Sequence, residues 1–312
     1  MKGFKLILEI VLLLLVLVGA AFLIESKYSK FETSADQIFK NYELYKDDSI
    51  VVVLGSSHTL MFDDYYPDTS KYVVNFSIGG QDLFREDMVL RKIVKDGAKI
   101  QQVILGLDFD ALGYNQVLSG EGYIDKQYYK YLDTLYDDGF TNRLMGSSAF
   151  FRSNRDISYL FKESEMSNPI KSRGGKSNSI PYIPLGNGTL NDEDCRGRAI
   201  EHSSIKFHPN LIEENLSYVN DIISLCAENK IKLIIVTTPK MDCYRENSVS
   251  ANIDKAKYRL IEMLKKEESL HCYHNLYDDT SFDASDFIDY DHLNQKGVIK
   301  LYQKLNTIFA NK

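Results

Sequence analysis

Apolar positions follow three different rhythms along the chain. The first is an almost unbroken run, Leu6–Ile24 (LILEIVLLLLVLVGAAFLI), with Glu9 as its one charge. A run of this length suits a helix that crosses a hydrocarbon core. The second rhythm is a set of short, β-branched runs. Ser49–Leu54 (SIVVVL), Tyr72–Phe76 (YVVNF), Gln102–Leu105 (QVIL) and Lys232–Thr237 (KLIIVT) read as buried strands, with Leu270–Leu276 as a fifth. The third is helical spacing. It occurs at 81–94, 210–229, 251–266 and 295–309, the last with Val298, Leu301, Leu305 and Ile308 on one side. Buried strands that alternate with amphipathic helices predict a parallel sheet covered on both faces.

These rhythms divide the chain. Residues 1–25 form a cytoplasmic tip and transmembrane segment, and 26–48 form a charged, helical stalk or linker. Residues 49–312 form the α/β domain. An insertion at about 140–209 breaks its pattern with Gly174, Gly175, Pro181, Pro184, Gly186 and Gly188. It reads either as a lid over the strand ends or as a surface excursion. Tyr128, Tyr131, Leu132, Leu135 and Tyr136 recur at helical spacing, as core or as a sugar-stacking stripe.

Composition narrows the function. The net charge of -7 shows no basic footprint, so nucleic acid is not an expected partner. Lys2 and Lys5 precede the apolar run and favour a cytoplasmic N-terminus. The run predicts a single-pass, uncleaved signal-anchor in the cell membrane, spanning through residues 6–24. A cleaved signal peptide is the competing reading, and both put the body outside the cytoplasm. Four cysteines are compatible with one or two disulfides there, but their spacing does not reveal the pairing and matches no zinc pattern. Neither a phosphate loop nor a dinucleotide fingerprint occurs, so no cofactor and no metal is expected.

Open parallel sheets build their sites at the carboxyl ends of strands. Gly55-Ser56-Ser57-His58 follows the first strand, where a tight turn can present Ser57 outward. Asn75–Gln81 follows the second, where Gly79 or Gly80 can offer a backbone amide to an oxyanion. Gly106-Leu107-Asp108-Phe109 follows the third. Asp289-Tyr290-Asp291-His292-Leu293-Asn294 precedes the last helix. His292 can act as a base for Ser57, and Asp289 can fix its tautomer. The plain alternative is that Asp289 and Asp291 cap the helix. For His58 a structural or substrate-contact role is favoured over that of a second base. His271 and His274, three apart in a strand, face opposite sides and make a poor metal pair.

The stretches LGSSHTLMF, NFSIGGQDLF, VILGLDF and DYDHLNQKG, over about 50–110 and 230–309, resemble the SGNH (GDSL-like) hydrolase superfamily. The likeness is nearest to its membrane-anchored bacterial envelope members. These include relatives of the D-alanyl-lipoteichoic acid protein D and of the polysaccharide O-acetyltransferases. The resemblance implies a three-layer α/β/α, flavodoxin-like fold of about five parallel strands behind the N-terminal transmembrane helix. It implies Ser57 as nucleophile, His292 as base and Asp289 as its partner. Oxyanion and substrate contacts would come from Gly79, Gly80, Asp108 and His58. The implied activity is that of an esterase or O-acyltransferase on acyl, chiefly acetyl, esters. Implied partners are an envelope polysaccharide or teichoic-acid-like glycan and a membrane acyl-donor protein. One block departs. The family has Asn where this chain has Asp108, and an ionised carboxylate only accepts hydrogen bonds. The departure supports a second expectation, a non-catalytic glycan-binding or envelope-assembly protein on the same scaffold.

Overall fold

The computed structural model describes residues 2–30, 32–121, 125–132, 146–153, 191–266 and 269–309. The chain divides into two compact units, Met1–Gln37 with Asp125–Pro169, and Ile38–Ile124 with Ile170–Lys312.

In the first unit, helix α1 (Lys2–Tyr28) carries the apolar run. Its side chains from Leu6 to Val18 are exposed, and Phe4–Tyr28 is long and apolar enough to cross a membrane. The foot of the helix is polar. Glu25 accepts hydrogen bonds from Ser148 Oγ (2.7 Å) and from the backbone N–H groups of Ala149 and Phe150. It thereby caps the short helical turn Ala149–Arg152. Asp36 accepts from Tyr131 Oη (2.5 Å) and Arg152 Nη1 (3.0 Å). Tyr128 ends a single helical turn, Asp125–Tyr128, and Leu135 and Tyr136 lie outside the described residues.

The second unit is built on a parallel five-stranded sheet of order β2-β1-β3-β4-β5. The strands are β1 (Ser49–Leu54), β2 (Tyr72–Asn75), β3 (Lys99–Gly106), β4 (Lys232–Thr237) and β5 (Cys272–Asn275). β1 shows why the runs are unbroken. Val51 and Val53 face a cluster with Ile104, Ile234, Val236, Val298 and Leu301. Ile50, Val52 and Leu54 point to the other face and are equally buried, so both faces of the strand lie under other elements. β3 begins at Lys99, ahead of the expected 102–105. Its first half pairs with β1 across a register shift between Ile50 and Val51, while its side chains stay half exposed.

Helices α3 (Leu83–Lys95), α5 (Ile212–Glu228), α7 (Ser250–Lys266) and α8 (Gln295–Phe309) flank the sheet. Within the segment expected as a linker, α2 (Ser34–Tyr45) buries Phe39 and Tyr42, whose rings pack on Phe76 at 5.5 and 5.7 Å. Of the expected insertion, 154–190 falls outside the described residues, with Gly174, Gly175, Pro181, Pro184, Gly186 and Gly188. Its end forms α4 (Asp192–Ile200), extended by a π-helical turn, Glu201–Ile205. A disulfide, Cys195–Cys243, ties α4 to the short helix α6 (Asp242–Asn247).

The strand order reverses between β1 and its two neighbours, which carry the chain in opposite directions across the sheet. That reversal is where doubly wound sheets open a crevice beyond the strand ends. The turns after β1 and β3 meet there.

Candidate active site

The turn after β1 is set by Gly55. Its φ is +146°, and a Cβ there would stand 2.4 Å from Thr59 Oγ1. Ser56 is extended, and Ser57 starts a short 3-10 turn, Ser57–Thr59. Thr59 pins this turn to the next one through a 2.7 Å hydrogen bond between its hydroxyl and that of Ser77. Asn75 does the same by donating from Nδ2 to the Thr59 carbonyl (2.8 Å). The second turn closes with Gln81 N–H donating to the Ile78 carbonyl (3.0 Å), and Gly80 supplies the positive φ of +75° that it needs. Gly79 comes so close that a Cβ on it would lie 3.9 Å from Ser57 Cβ. Among the described residues, the N–H groups of Ser57 and Gly79 donate to no protein acceptor.

Asp289 shapes the loop that brings His292 to Ser57. Its Oδ1 accepts from the backbone N–H of His292 (2.8 Å) and of Asp291 (3.1 Å). The carboxylate then faces His292 Nδ1 at 2.8 and 2.9 Å. The proton is therefore assigned to Nδ1, which leaves Nε2 to accept from Ser57 Oγ, 2.7 Å away. Ser57, His292 and Asp289 thus meet from positions up to 235 residues apart. Burial holds His292 below its ordinary pKa against the upward pull of Asp291 and Asp289, and the charge on His58 pushes the same way as burial. The ring is thus neutral at neutral pH, as a base must be. Burial alone would raise Asp289, but the hydrogen bond and charge of His292 bring it below its ordinary value. The helix-capping alternative fails here, because Asn294 caps α8 by accepting from Gly297 N–H (3.1 Å).

A second buried network stands behind this row. His58 sits with Nδ1 2.6 Å from Asp108 Oδ2 and Nε2 2.9 Å from Asp291 Oδ2. Its ring lies against that of His292, with centroids 4.6 Å apart. Asp108 also accepts from Thr238 N–H (2.8 Å), from the Thr238 hydroxyl (2.9 Å) and from Lys240 Nζ (2.8 Å). Burial pushes Asp108 up, yet Lys240 and His58 outweigh it and hold the carboxyl well below the usual range. Asp108 is therefore an ionised acceptor facing cations, and it cannot donate to an oxyanion. Burial likewise raises Asp291, and the imidazoles of residues 292, 202 and 58 with Arg198 bring it far down.

The open side is a cavity of about 490 Å³. Ser57, Gly79, Gly80, Asp108 and His292 form its floor. Tyr114 and Glu121 follow β3, and Arg198, His202 and Lys206 come from α4 and the residues after it. Arg198 Nε reaches Asp291 Oδ1 at 3.3 Å, and Lys206 pairs with Glu121 (2.8 Å) and Glu201 (2.9 Å). The donor atoms of His58, Asp291 and His292 lie within 4.8 Å of one another, close enough to hold a metal ion. Each of these atoms is engaged by a protein partner instead.

The sequence reading missed Thr238, Lys240, Arg198, His202 and the role of Asp291. Thr238 and Lys240 follow directly on β4, so the strand-end rule already applied to β1, β2 and β3 would have found them. No local signal marks Arg198 or His202. His271 donates from Nε2 to the Leu264 carbonyl (3.2 Å), and His274 is buried in β5, so neither joins the site.

No family model and no curated protein matches the chain. Among solved structures it is similar to a Bacteroides fragilis protein assigned as an acylhydrolase. That match has 14% identity, covers 89% of this chain and 99% of the other, and has a TM-score of 0.43. It is also similar to a GDSL-like lipase from Bacteroides thetaiotaomicron (12% identity, 88% and 98% covered, TM-score 0.41). A third similar structure is described as a platelet activating factor from Streptococcus pneumonia (12% identity, 96% and 98% covered, TM-score 0.40). Similarity at this level carries no statement about activity.

Proposed function

We propose that this chain is a serine ester hydrolase or O-acyltransferase of the SGNH type, anchored in the cell membrane and working outside the cytoplasm on acyl esters of an envelope glycan. One observation carries the reading. Ser57 Oγ, His292 and Asp289 form a continuous hydrogen-bonded row of 2.7 and 2.8 Å on the floor of an open cavity.

The chemistry runs as follows. Ser57 Oγ attacks the acyl carbonyl while His292 Nε2 takes its proton. The oxyanion forms beside the backbone N–H groups of Ser57 and Gly79, which take the place of a side-chain donor at position 108. The ester C–O bond breaks, and His292 returns its proton to the departing alcohol. Water or a glycan hydroxyl then attacks the acyl-enzyme, with His292 again moving the proton. The buried charges favour this course. Asp108, Asp289 and Asp291 are matched by His58, Lys240 and Arg198 at rest. The proton gained by His292 in the transition state is then matched by the oxyanion.

Two observations support the compartment. The apolar α1 has the length to cross a membrane, and its leading lysines favour a cytoplasmic tip. The Cys195–Cys243 disulfide belongs to an oxidising environment. The anchor also suits a transferase that receives its acyl group from a membrane acyl-donor protein. The alternative, a non-catalytic glycan-binding or envelope-assembly protein on the same scaffold, rests on Asp108, which His58 and Lys240 hold as an ionised acceptor and which offers no oxyanion donor.

Ser57→Ala is expected to abolish turnover of small acetyl esters and labelling by serine-directed phosphonates. Labelling that persists in this variant overturns the assignment. Product analysis with and without a glycan acceptor separates transfer from hydrolysis.

A further inference from the structure

We infer that His58 is a positioning residue, a buried cation that clamps the loop carrying His292 against the turn carrying Ser57. The inference rests on the reading of Ser57 and His292 as nucleophile and base, and it assigns the regulation of that base to its neighbour.

Geometry alone sets the charge on His58. Both of its ring nitrogens face carboxylate oxygens, Asp108 at 2.6 Å and Asp291 at 2.9 Å. A neutral imidazole has one N–H and would set a lone pair against one of the two carboxylates. Only the imidazolium satisfies both. The ring is 8% exposed, so water does not screen the pair. The two carboxylates stand on different parts of the fold. Asp108 follows β3, and Asp291 lies in the loop of the base. His58 itself is covalently next to Ser57. One buried ring thereby joins the nucleophile's turn to the base's loop, 233 residues away.

The groups facing His58 account for its behaviour. Lys240, after β4, shares Asp108 and also donates to the Asp291 carbonyl at 3.3 Å. Arg198 and His202 reach Asp291 from α4 and its extension, at 3.3 and 3.4 Å. Asp289 stands beyond His292. Burial and Lys240 push the His58 pKa down, but Asp108 and Asp291 prevail and raise it to about 9. A cation stacked 4.6 Å from His292 opposes protonation of that base. Without it, Asp291 would pull the proton onto His292 and idle the nucleophile.

The test is the pH–rate profile of the full chain in detergent, for wild type and His58→Gln, together with an NMR titration of the wild-type histidine rings. Wild type is expected to lose activity as pH rises through about 9, where the His58 cation is lost. In His58→Gln that alkaline limb is absent, and the acid limb moves up by about one pH unit as His292 holds its proton more tightly. At neutral pH kcat falls by roughly 10²-fold, the cost of a base displaced by about 1 Å, with KM within about threefold. A fall in kcat with an unmoved acid limb means a merely structural role and overturns the inference while Ser57 stands. So does a His58 ring that is neutral at pH 7.5 by NMR, a result that does not depend on the variant folding. Wild type that neither turns over ester nor labels with phosphonate overturns the serine reading itself, and this inference with it.

Discussion

The two walls of the cavity are built on different principles. The floor, with Ser57, Gly79, Gly80 and Asp108, sits on turns that follow parallel strands. Buried hydroxyl and amide contacts such as Thr59–Ser77 and Asn75–Thr59 leave it no freedom. The opposite wall, with Arg198, His202 and Lys206, stands on α4 and its π-helical extension. It is held by a disulfide, by Lys206 ion pairs that reach water, and by the reach of Arg198 and His202 to Asp291. A site that must place a nucleophile within a fraction of an ångström needs the first kind of wall. A wall that selects among substrates can tolerate the second. On this reading, changes in the floor cost kcat or folding, and changes in the far wall cost KM and a modest share of stability.

The largest effect is expected from Asp289→Asn. The amide can present an N–H to His292 Nδ1 and so favour the wrong tautomer. A loss of about 10⁴-fold in kcat with little change in KM is expected, as for such a change in other serine triads. A loss below tenfold in steady-state kinetics would break the claim that the row from Asp289 to Ser57 is the reacting one. Gly55→Ala tests the floor through folding. Its Cβ would strike Thr59 Oγ1 at a φ few residues adopt. A destabilisation of about 2–3 kcal/mol, or insoluble protein, is the expected result in denaturant melts.

Smaller in its effect on turnover is the paired replacement Cys195→Ser with Cys243→Ser. The bond closes a 48-residue loop, so its removal costs at most about 4 kcal/mol. Turnover of a small acetyl ester should change by less than about threefold where the variant remains folded, while KM for a bulky glycan ester rises. Equal losses on both substrates would show that the far wall also sets the floor, and the contrast between them would fall.

What could be read from the sequence follows the same division. β1 and β4 were legible because their apolar, β-branched runs are unbroken, and both ends of each agree with the structure. Residues 99–101 at the start of β3 were not, because Lys99 and Gln101 are exposed polar side chains that break the apolar run. Ser57, Asp289 and His292 could be picked out because turns after strands and a three-residue spacing are local patterns. The strand-end rule would mark Lys240 as well, but not its pairing with Asp108, which depends on the packing of β4 beside β3. α4 lay in a segment expected to be an insertion, either a lid or a surface excursion. Asn191 nonetheless caps it by accepting from Asp194 N–H at 2.8 Å. Asn191-Asp192-Glu193-Asp194 is a local start signal, a cap followed by an acidic first turn. The pairing of Cys195 with Cys243 depends on where α6 falls, which no spacing reveals.

The smallest effect is expected at Lys206. It bridges Glu121 and Glu201 at the cavity wall, and the three side chains keep about a quarter to a third of their surface in water. Such pairs are worth about 0–1 kcal/mol, because solvent screens them and ordering long side chains costs entropy. Lys206→Ala should therefore leave thermal stability nearly unchanged. Its effect should appear only with substrates large enough to touch that wall, as a rise in KM of a few fold at constant kcat. A fall in kcat on a small acetyl ester would carry more weight than its size. It would mean that an exposed ion pair on the far wall reaches the reacting atoms, and that the two walls act as one.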